Sequence, residues 1–204
     1  MCEFKLKKGS IADLHRIYGK YMRADFHRYE RMPEPVIALA MARGKQELLL
    51  ITDDSGRLAG YAICCCRSVY GYVLINYLAV LQQRRGEGIG SAALELLSGY
   101  YADRMGLIVE LTDTPGEREE TLRRHSFYGR AGFADADSDY RLCGVQTYLM
   151  VRPLRGTADI SAAAHLILPE IYSHSLPKRA VRAIVDIRPA DVGTESIFDT
   201  EEQR

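Results

Sequence analysis

The feature that most constrains the fold is a glycine loop, Gln82–Ser91 (QQRRGEGIGS), between a predicted strand and a predicted helix. The apolar run VLINYLAV precedes the loop, and apolar residues at helical spacing follow it. The glycines at 86, 88 and 90 permit backbone conformations and close approaches that other residues do not. The free N–H groups at the start of a helix attract phosphate. The loop therefore predicts a phosphate-bearing ligand at a strand-to-helix junction.

The bulk composition argues against several classes of partner. The chain has 204 residues, is 47% hydrophobic, and carries 27 basic and 27 acidic side chains, so no excess charge favours nucleic acid or an anionic membrane. It has no long apolar run and no signal-peptide core at its N-terminus. Its five cysteines, three of them at Cys64–Cys66, form no C-x-x-C pair or metal-ligand spacing. We therefore expect a cytoplasmic protein with free thiols, no metal, and no nucleic-acid or membrane partner.

The predicted elements follow one another in the order β-α-α-β-β-β-α-β-α-β-β. Ser10 is a predicted N-cap of the first helix. Short turns such as DDSG join the strands before the glycine loop, which indicates an antiparallel meander. LIVELT, at 107–112, is almost continuously apolar and is predicted as a buried strand. The pattern predicts an α+β fold, with a mixed, largely antiparallel sheet and helices on both faces.

The chain changes character after residue 152. We expect one domain over 1–152 and a helical C-terminal extension over 153–204, with helices in DISAAAHLILPEIYSH and KRAVRAIV. The polar acidic end is expected to be mobile. Two interpretations of the apolar stripe in AAAHLILPEIY stay open. It covers the open edge of the sheet, or it contacts a second subunit in a homodimer.

Two kinds of phosphate-bearing ligand compete for the glycine loop. Gly88–Ala93 fits the G-x-G-x-x-A pattern of dinucleotide-binding folds, and Glu110 lies about 20 residues further on, as that pattern requires. However, seven residues (81–87) separate the strand from Gly88, and an antiparallel meander is not a parallel β-α-β unit. An NAD-dependent oxidoreductase is therefore kept as a remote alternative.

A second set of motifs indicates a different ligand. Arg85–Gly90 reads R-x-x-G-x-G, and His125–Phe133 (HSFYGRAGF) contains F-Y-x-x-x-G-F. Together with the order of elements, these motifs resemble the GNAT family of N-acetyltransferases over residues 2 to 152. The resemblance implies the acyl-CoA N-acyltransferase fold and acetyl-CoA as co-substrate. It also implies acetyl transfer to a primary amine of a small molecule or peptide, by direct attack in a ternary complex. The alternative of another class is a catalytically idle module that binds CoA or serves as a scaffold.

The resemblance also assigns roles to particular residues. The pantetheine arm would pair with the strand at 78–80, and this strand would splay from Ile108–Leu111 to leave room for the thioester. Tyr128 would donate the proton that the leaving thiolate needs. Arg84 is a further cation near the nucleotide phosphates. The residues expected to bind the cofactor are Leu78, Ala79, Val80, Arg85, Gly86, Glu87, Gly88, Ile89, Gly90 and Ser91.

The acceptor amine has to lose a proton, because an alkyl amine with a pKa near 10.4 is mostly protonated at neutral pH. Glu110, an acid in an apolar strand beside the implied opening, is one candidate for this task. The alternative, weighted equally, is that Glu110 has a structural role and pairs with an arginine or a capping N–H. Tyr29 and Glu30 lie in the loop that would shape the acceptor pocket, and His125 is a further candidate for a proton relay. Asn76 stands where some family members have a carboxylate, which favours a relay through water.

Overall fold

A mixed sheet forms the centre of the computed structural model, which describes residues 3–28, 30–113, 116–136, 138–161 and 163–189. The strand order is β1-β2-β3-β4-β5-β8-β7-β9, and β6 pairs with β8. Among these strands only β4 and β5 pair in parallel, so the sheet is largely antiparallel, as predicted. The strands are β1 Phe4–Lys8, β2 Gln46–Asp53, β3 Leu58–Cys65, β4 Tyr72–Val80, β5 Gly106–Thr112, β6 Ala134–Asp135, β7 Ser138–Leu142, β8 Val145–Pro153 and β9 Val185–Pro189.

Helices cover both faces of this sheet. A π-helical segment at Tyr18–Met22 separates the first two helices, and a short 3-10 turn at Gln82–Arg84 opens the glycine loop. No helix in the described ranges has both the length and the apolar character needed to cross a membrane. The helices are α1 Ile11–Ile17, α2 Arg23–Asp25, α3 Glu34–Ala42, α4 Ile89–Tyr100, α5 Arg118–Arg130, α6 Ala164–Ser173 and α7 Lys178–Ile184.

Helices can pack on both faces of the sheet because side chains alternate between the two faces along each strand. Leu48 packs with α1 and α3, whereas its neighbour Leu49 packs with α4 on the opposite face. Cys64 and Cys65 divide between the two faces in the same way. The four cysteines in the described ranges are free. The predicted α+β class with helices on both faces is confirmed.

Hydrogen bonds between neighbouring residues determine where α1 begins. Ser10 is its N-cap, as predicted. The Ser10 hydroxyl accepts the Asp13 N–H at 3.1 Å, and the Asp13 carboxylate accepts the Ser10 N–H at 2.9 Å. This reciprocal pair satisfies two N–H groups that the first turn leaves without helical partners. α1 therefore has a well-defined N-terminus.

Three elements of the structure differ from the prediction. α4 ends at Tyr100 instead of about Met105, and a series of turns follows it. The stretch FADADSDYRL contains two strands, β6 and β7, instead of one. Strand β9 was not predicted at all, although it pairs with β7 along five residues. Its sequence, VDIRP, is short and follows a helical pattern, so local propensity does not predict a strand there. The segment becomes a strand because it forms backbone pairs with the edge of β7.

The C-terminal segment lies against the sheet. Ile167, Leu168 and Ile171 of α6 are buried in one cluster with Leu74 of β4 and Ile108 of β5. The apolar stripe of the tail therefore covers a face of the sheet, over the parallel pair β4 and β5. The acidic stretch 190–204 and Tyr29 lie outside the described residues.

Candidate active site

The parallel strands β4 and β5 separate after three residue pairs, and we call the opening the strand gap. Pairing covers Tyr72–Leu74 and Gly106–Ile108, and no pair between the two strands follows in the described structure. At the start of the opening, the register between β3 and β4 shifts so that Asn76 is skipped, which is a β-bulge. The gap-side edge of residues 78–80 consequently has no strand partner.

Two cavities meet at the strand gap. The loop-side cavity, of about 600 Å³, is lined by Leu78–Val80, Arg85, Gly90 and much of α5. The tail-side cavity, of about 350 Å³, is lined by the loop around Met32, by the β7–β8 turn and by the C-terminal segment. The residues that line both cavities are Phe26, Glu30, Ile75, Asn76, Glu110 and Arg124.

The glycine loop presents a row of free backbone donors. None of the N–H groups of residues 86–91 donates a hydrogen bond within the described structure, and the first helical bond of α4 is Ala92 N–H to the Gly88 carbonyl, at 3.1 Å. Gly86 and Gly88 have φ values of 87° and 76°, which suit glycine. Six unpaired donors at a helix N-terminus form an arrangement that fits a phosphate group.

The third glycine has a different role. A Cβ on Gly90 would lie 3.2 Å from the Phe127 ring of α5, so this position lets the two helices approach closely. Ile89 is buried between Ile51 and Ala93 and contributes only its backbone to the loop surface. Packing therefore fixes the start of α4 before any ligand binds.

The two arginines of the loop are not equivalent. Arg84 is largely buried and forms ion pairs with Asp53 at 3.1 Å and with Glu87 at 2.9 Å, which anchor the loop to the β2–β3 turn. Its expected contribution to phosphate binding has no support in this geometry. Arg85 is more than half exposed, lines the loop-side cavity, and pairs with Asp25 of α2 at 3.3 Å. Arg85 is therefore the loop cation available to a ligand.

Tyr128 lies on the wall of the loop-side cavity, in the third turn of α5. Edge-to-face contacts with Phe127 and Phe133, with ring centres 5.1 and 5.3 Å apart, hold its ring. Its hydroxyl has no hydrogen-bond partner within the described ranges. Burial raises the pKa of Tyr128 to about 12, so the hydroxyl keeps its proton at neutral pH. The side chain can therefore donate that proton to a group in the cavity.

Glu110 is held by two tyrosines instead of the arginine or capping N–H considered from the sequence. The Tyr140 hydroxyl donates to one carboxylate oxygen and the Tyr172 hydroxyl to the other, each at 2.6 Å. Burial raises the pKa of Glu110, and the two tyrosine bonds partly oppose that shift. The strand gap therefore presents a carboxylate that is more basic than usual, and such a group can accept a proton.

The loop between α2 and α3 is attached to β4 through Tyr77. The Tyr77 hydroxyl donates to the Glu30 carbonyl at 2.9 Å and accepts the Met32 N–H at 2.8 Å. The Glu30 carboxylate accepts the His27 N–H at 3.0 Å. These bonds hold Glu30 where both cavities meet.

Sequence patterns did not single out Tyr140, Tyr172 or Arg124 as residues of the site. No local motif marks them, because each reaches the strand gap from a different element. His125, considered as a proton relay, lines neither cavity and pairs with Asp135 at 2.8 Å. The geometry gives no support to that relay.

Comparisons with known proteins agree with this description. Residues 45–135 match the family model for the acetyltransferase (GNAT) domain. A protein from Bacteroides thetaiotaomicron, described as a GNAT-family acetyltransferase, has a similar structure, with a TM-score of 0.62 and 20% identity over 79% of this chain and 91% of that one. A spermidine N-acetyltransferase variant from Vibrio cholerae has a TM-score of 0.59 and 10% identity over 74% and 94% of the two chains. No curated protein sequence matches the chain.

The topology argues against the dinucleotide-binding alternative. The strands that lead to the glycine loop, β2 to β4, are antiparallel, whereas that fold builds its site from successive parallel strands. The similar solved structures support the fold, and the matched segment contains both the glycine loop and Tyr128. Residues 45–135 of the chain therefore match the acetyltransferase (GNAT) domain, and the fold around them is that of the similar acetyltransferase structures.

Proposed function

We propose that this enzyme transfers the acetyl group of acetyl-CoA to a primary amine of a small molecule or peptide, by direct attack in a ternary complex. The observation that carries the proposal is the meeting of two cavities at the strand gap. One cavity is bordered by the glycine loop, and the other is shaped by the loop that carries Glu30. Such an arrangement brings two substrates together from opposite sides, which is what direct transfer requires.

The loop-side cavity is the proposed site of acetyl-CoA. The N–H groups of residues 86–91 would hold the pyrophosphate, and Arg85 would add positive charge. The free edge of Leu78–Val80 would pair with the amide groups of the pantetheine arm. Ile89, Gly90 and Ser91 would contribute only their backbone N–H groups. Acetyl-CoA, when bound, supplies an acetyl thioester that is reactive toward amines.

Two side chains would move the protons of the reaction. As the amine nitrogen forms its bond to the acetyl carbon and the carbon–sulfur bond breaks, Tyr128 would donate a proton to the departing sulfur. Glu110 would accept a proton from the amine, directly or through a water molecule beside Asn76. Glu30 would help position the acceptor at the mouth of the tail-side cavity. Proton exchange with solvent would then restore both groups.

The acceptor of the similar bacterial enzymes, spermidine, is not the one that this cavity favours. Two acids, Glu30 and Glu110, and two arginines, Arg31 and Arg124, line the tail-side cavity. These charges balance, whereas a polyamine with several positive charges is best matched by an excess of acids. Spermidine is therefore a useful comparison compound.

Thermal unfolding with acetyl-CoA, CoA and NAD added separately tests the ligand. At about 100 times its dissociation constant, a ligand adds roughly 2.7 kcal/mol, which raises Tm by about 5–10 °C for a chain of this size. We expect that rise with both CoA species and none with NAD. A rise with NAD alone would overturn the proposal.

Thiol release from acetyl-CoA in the presence of an amine panel then tests catalysis. Turnover above the rate of spontaneous hydrolysis with at least one amine is expected. If the protein binds acetyl-CoA but transfers its acetyl group to no amine in the panel, the idle CoA-binding module becomes the better interpretation.

A further inference from the structure

We propose that the acceptor amine carries a carboxylate and an apolar side chain, as an apolar amino acid does, and that Arg124 binds this carboxylate. The inference rests on the proposed acetyl transfer and names the substrate class of the same site. It comes from the lining of the tail-side cavity, which combines one unpaired cation, one proton acceptor and several apolar walls.

Arg124 is the first element of the argument. It lies one turn before Tyr128 on α5 and lines both cavities, so it stands where the acceptor would meet the thioester. Its Nε atom is buried without a hydrogen-bond acceptor, and its guanidinium forms no hydrogen bond or ion pair within the described ranges. Leaving such a donor unpaired costs roughly 1–3 kcal/mol, and more for a charged group. A bound anion would remove that cost.

The acidic groups around Arg124 already have other partners. Glu120, whose pKa is lowered first by Arg123 and less by Arg124, forms its ion pair with Arg123. The Glu110 carboxylate receives two tyrosine hydroxyls, and the Glu30 carboxylate receives a backbone N–H. Among the residues that the structure describes, no carboxylate therefore pairs with Arg124. An arginine fork matches a carboxylate in shape and charge, so the ligand is the natural source.

The walls of the tail-side cavity indicate what surrounds the charged groups of the acceptor. Met32, Leu142, Val145, Leu176 and Ile184 come from separate parts of the chain and converge there. The volume of about 350 Å³ is near the lower limit for ligand pockets. Burial of apolar surface in such a cavity favours one compact hydrophobic side chain over a long polar one.

These features together define a three-point site. The carboxylate would lie on Arg124, the amine beside Glu110 and Asn76, and the side chain against the apolar wall. Because Arg124 and Glu110 line both cavities, the amine would lie within reach of the acetyl group. A polyamine has no group for Arg124 and no apolar side chain for the wall.

Matched acceptor pairs test this inference. L-phenylalanine is compared with phenethylamine, and L-leucine with 3-methylbutylamine, because each pair differs only by the carboxylate. We expect kcat/KM to be at least about tenfold higher for the amino acid of each pair, since one charge-assisted bond accounts for such a factor. Equal or better turnover of the decarboxylated amines would overturn the inference and leave acetyl transfer intact.

The variant Arg124→Met tests the assigned residue, and Arg130→Met, on the exposed end of the same helix, is its control. Arg124→Met should abolish the preference for the carboxylate while acetyl-CoA still raises Tm as in the unaltered protein. Arg130→Met should keep that preference. If Arg124→Met loses acetyl-CoA binding instead, this arginine serves the cofactor and the inference is wrong.

A binding measurement separates the inference from the proposed function if no amine is turned over. In the presence of CoA, calorimetry compares N-acetylphenylalanine with N-acetylphenethylamine. At least about tenfold tighter binding of the carboxylate compound, lost in Arg124→Met, supports the carboxylate site even without catalysis. Equal binding of the two compounds contradicts the site.

Discussion

The two cavities that meet at the strand gap differ in how much of their lining one stretch of the chain supplies. One side of the loop-side cavity is a single stretch, from Leu78 through Arg85 to Gly90, and its other walls are α5, β5 and residues of the segment before α3. The tail-side cavity draws on the loop at 26–32, the β7–β8 turn, α6 and the residues after it, which are more than a hundred positions apart. Contiguous residues can carry a motif, whereas scattered residues cannot.

This difference explains why the sequence suggests a class of cofactor but names no acceptor. Backbone N–H groups that hold a phosphate must follow one another along the chain, so glycine spacing reveals them. An acceptor pocket needs only side chains that converge in space. Variants that affect one cavity and leave the other unchanged can therefore test whether the two are independent.

The largest effect is expected from a change on the wall of the loop-side cavity, at Tyr128. Tyr128→Phe removes the hydroxyl but keeps the ring that contacts Phe127 and Phe133. If the hydroxyl protonates the leaving thiolate, kcat should fall about 100-fold or more, because general acid catalysis contributes about that factor. Steady-state kinetics give kcat, and thermal shift gives acetyl-CoA binding, which should stay unchanged. Tyr70→Phe, on the exposed β3–β4 turn, is the matched control. Unaltered turnover in Tyr128→Phe would rule out the acid role.

A smaller effect, confined to the loop-side cavity, is expected from Gly88→Ala. A side chain at φ 76° is strained by about 1–2 kcal/mol, and relief of that strain would move the loop N–H groups. The dissociation constant of acetyl-CoA should rise about tenfold, the equivalent of one lost phosphate bond. Gly44→Ala, at φ 63° after α3, introduces similar strain far from both cavities. Equal effects of the two variants on acetyl-CoA binding would mean that the loop holds no phosphate.

The smallest effect on activity is expected on the tail side, from Tyr172→Phe. This change removes one of the two hydroxyls that partly oppose the upward shift in the pKa of Glu110, so that pKa should rise further. Because Glu110 must be ionised to accept a proton, the acidic limb of the kcat/KM profile should move to higher pH. Movement to lower pH would contradict the role of Glu110. Acetyl-CoA binding should not change.

The same variant makes a prediction about stability. A carboxyl group whose folded-state pKa lies above its ordinary value near 4.5 binds more protons in the folded state, so stability falls as pH rises through that window. Tyr172→Phe should extend this fall to higher pH and cost about 1.5–3 kcal/mol at neutral pH, the usual contribution of a hydrogen bond to a charged group. Urea unfolding at a series of pH values measures both. A fall that ends at lower pH than in the unaltered protein would show that Tyr172 does not stabilise the ionised form.

Individual residues show which features of the structure the sequence patterns predicted and which they did not. Ser10 capped α1 as predicted, because a capping box uses neighbours three residues apart. Gly86 and Gly88 adopt the positive φ that their spacing suggested. Arg84 was misjudged, because its partner Asp53 lies 31 positions away and the two meet only when the hairpin packs against the loop. Strand β9 was missed for a similar reason, since its pairing depends on the edge of β7.

The sequence by itself determined the α+β class, the resemblance to the acetyltransferase (GNAT) domain and the glycine loop at the start of α4, because periodicity, capping and glycine spacing act between neighbouring residues. Tertiary structure decided where β4 and β5 separate, that Tyr140 and Tyr172 hold Glu110, and that Arg124, at the junction of the cavities, has no partner among the described residues. These features depend on side chains brought together from distant positions. Their energies come from burial and from contacts made only in the folded chain.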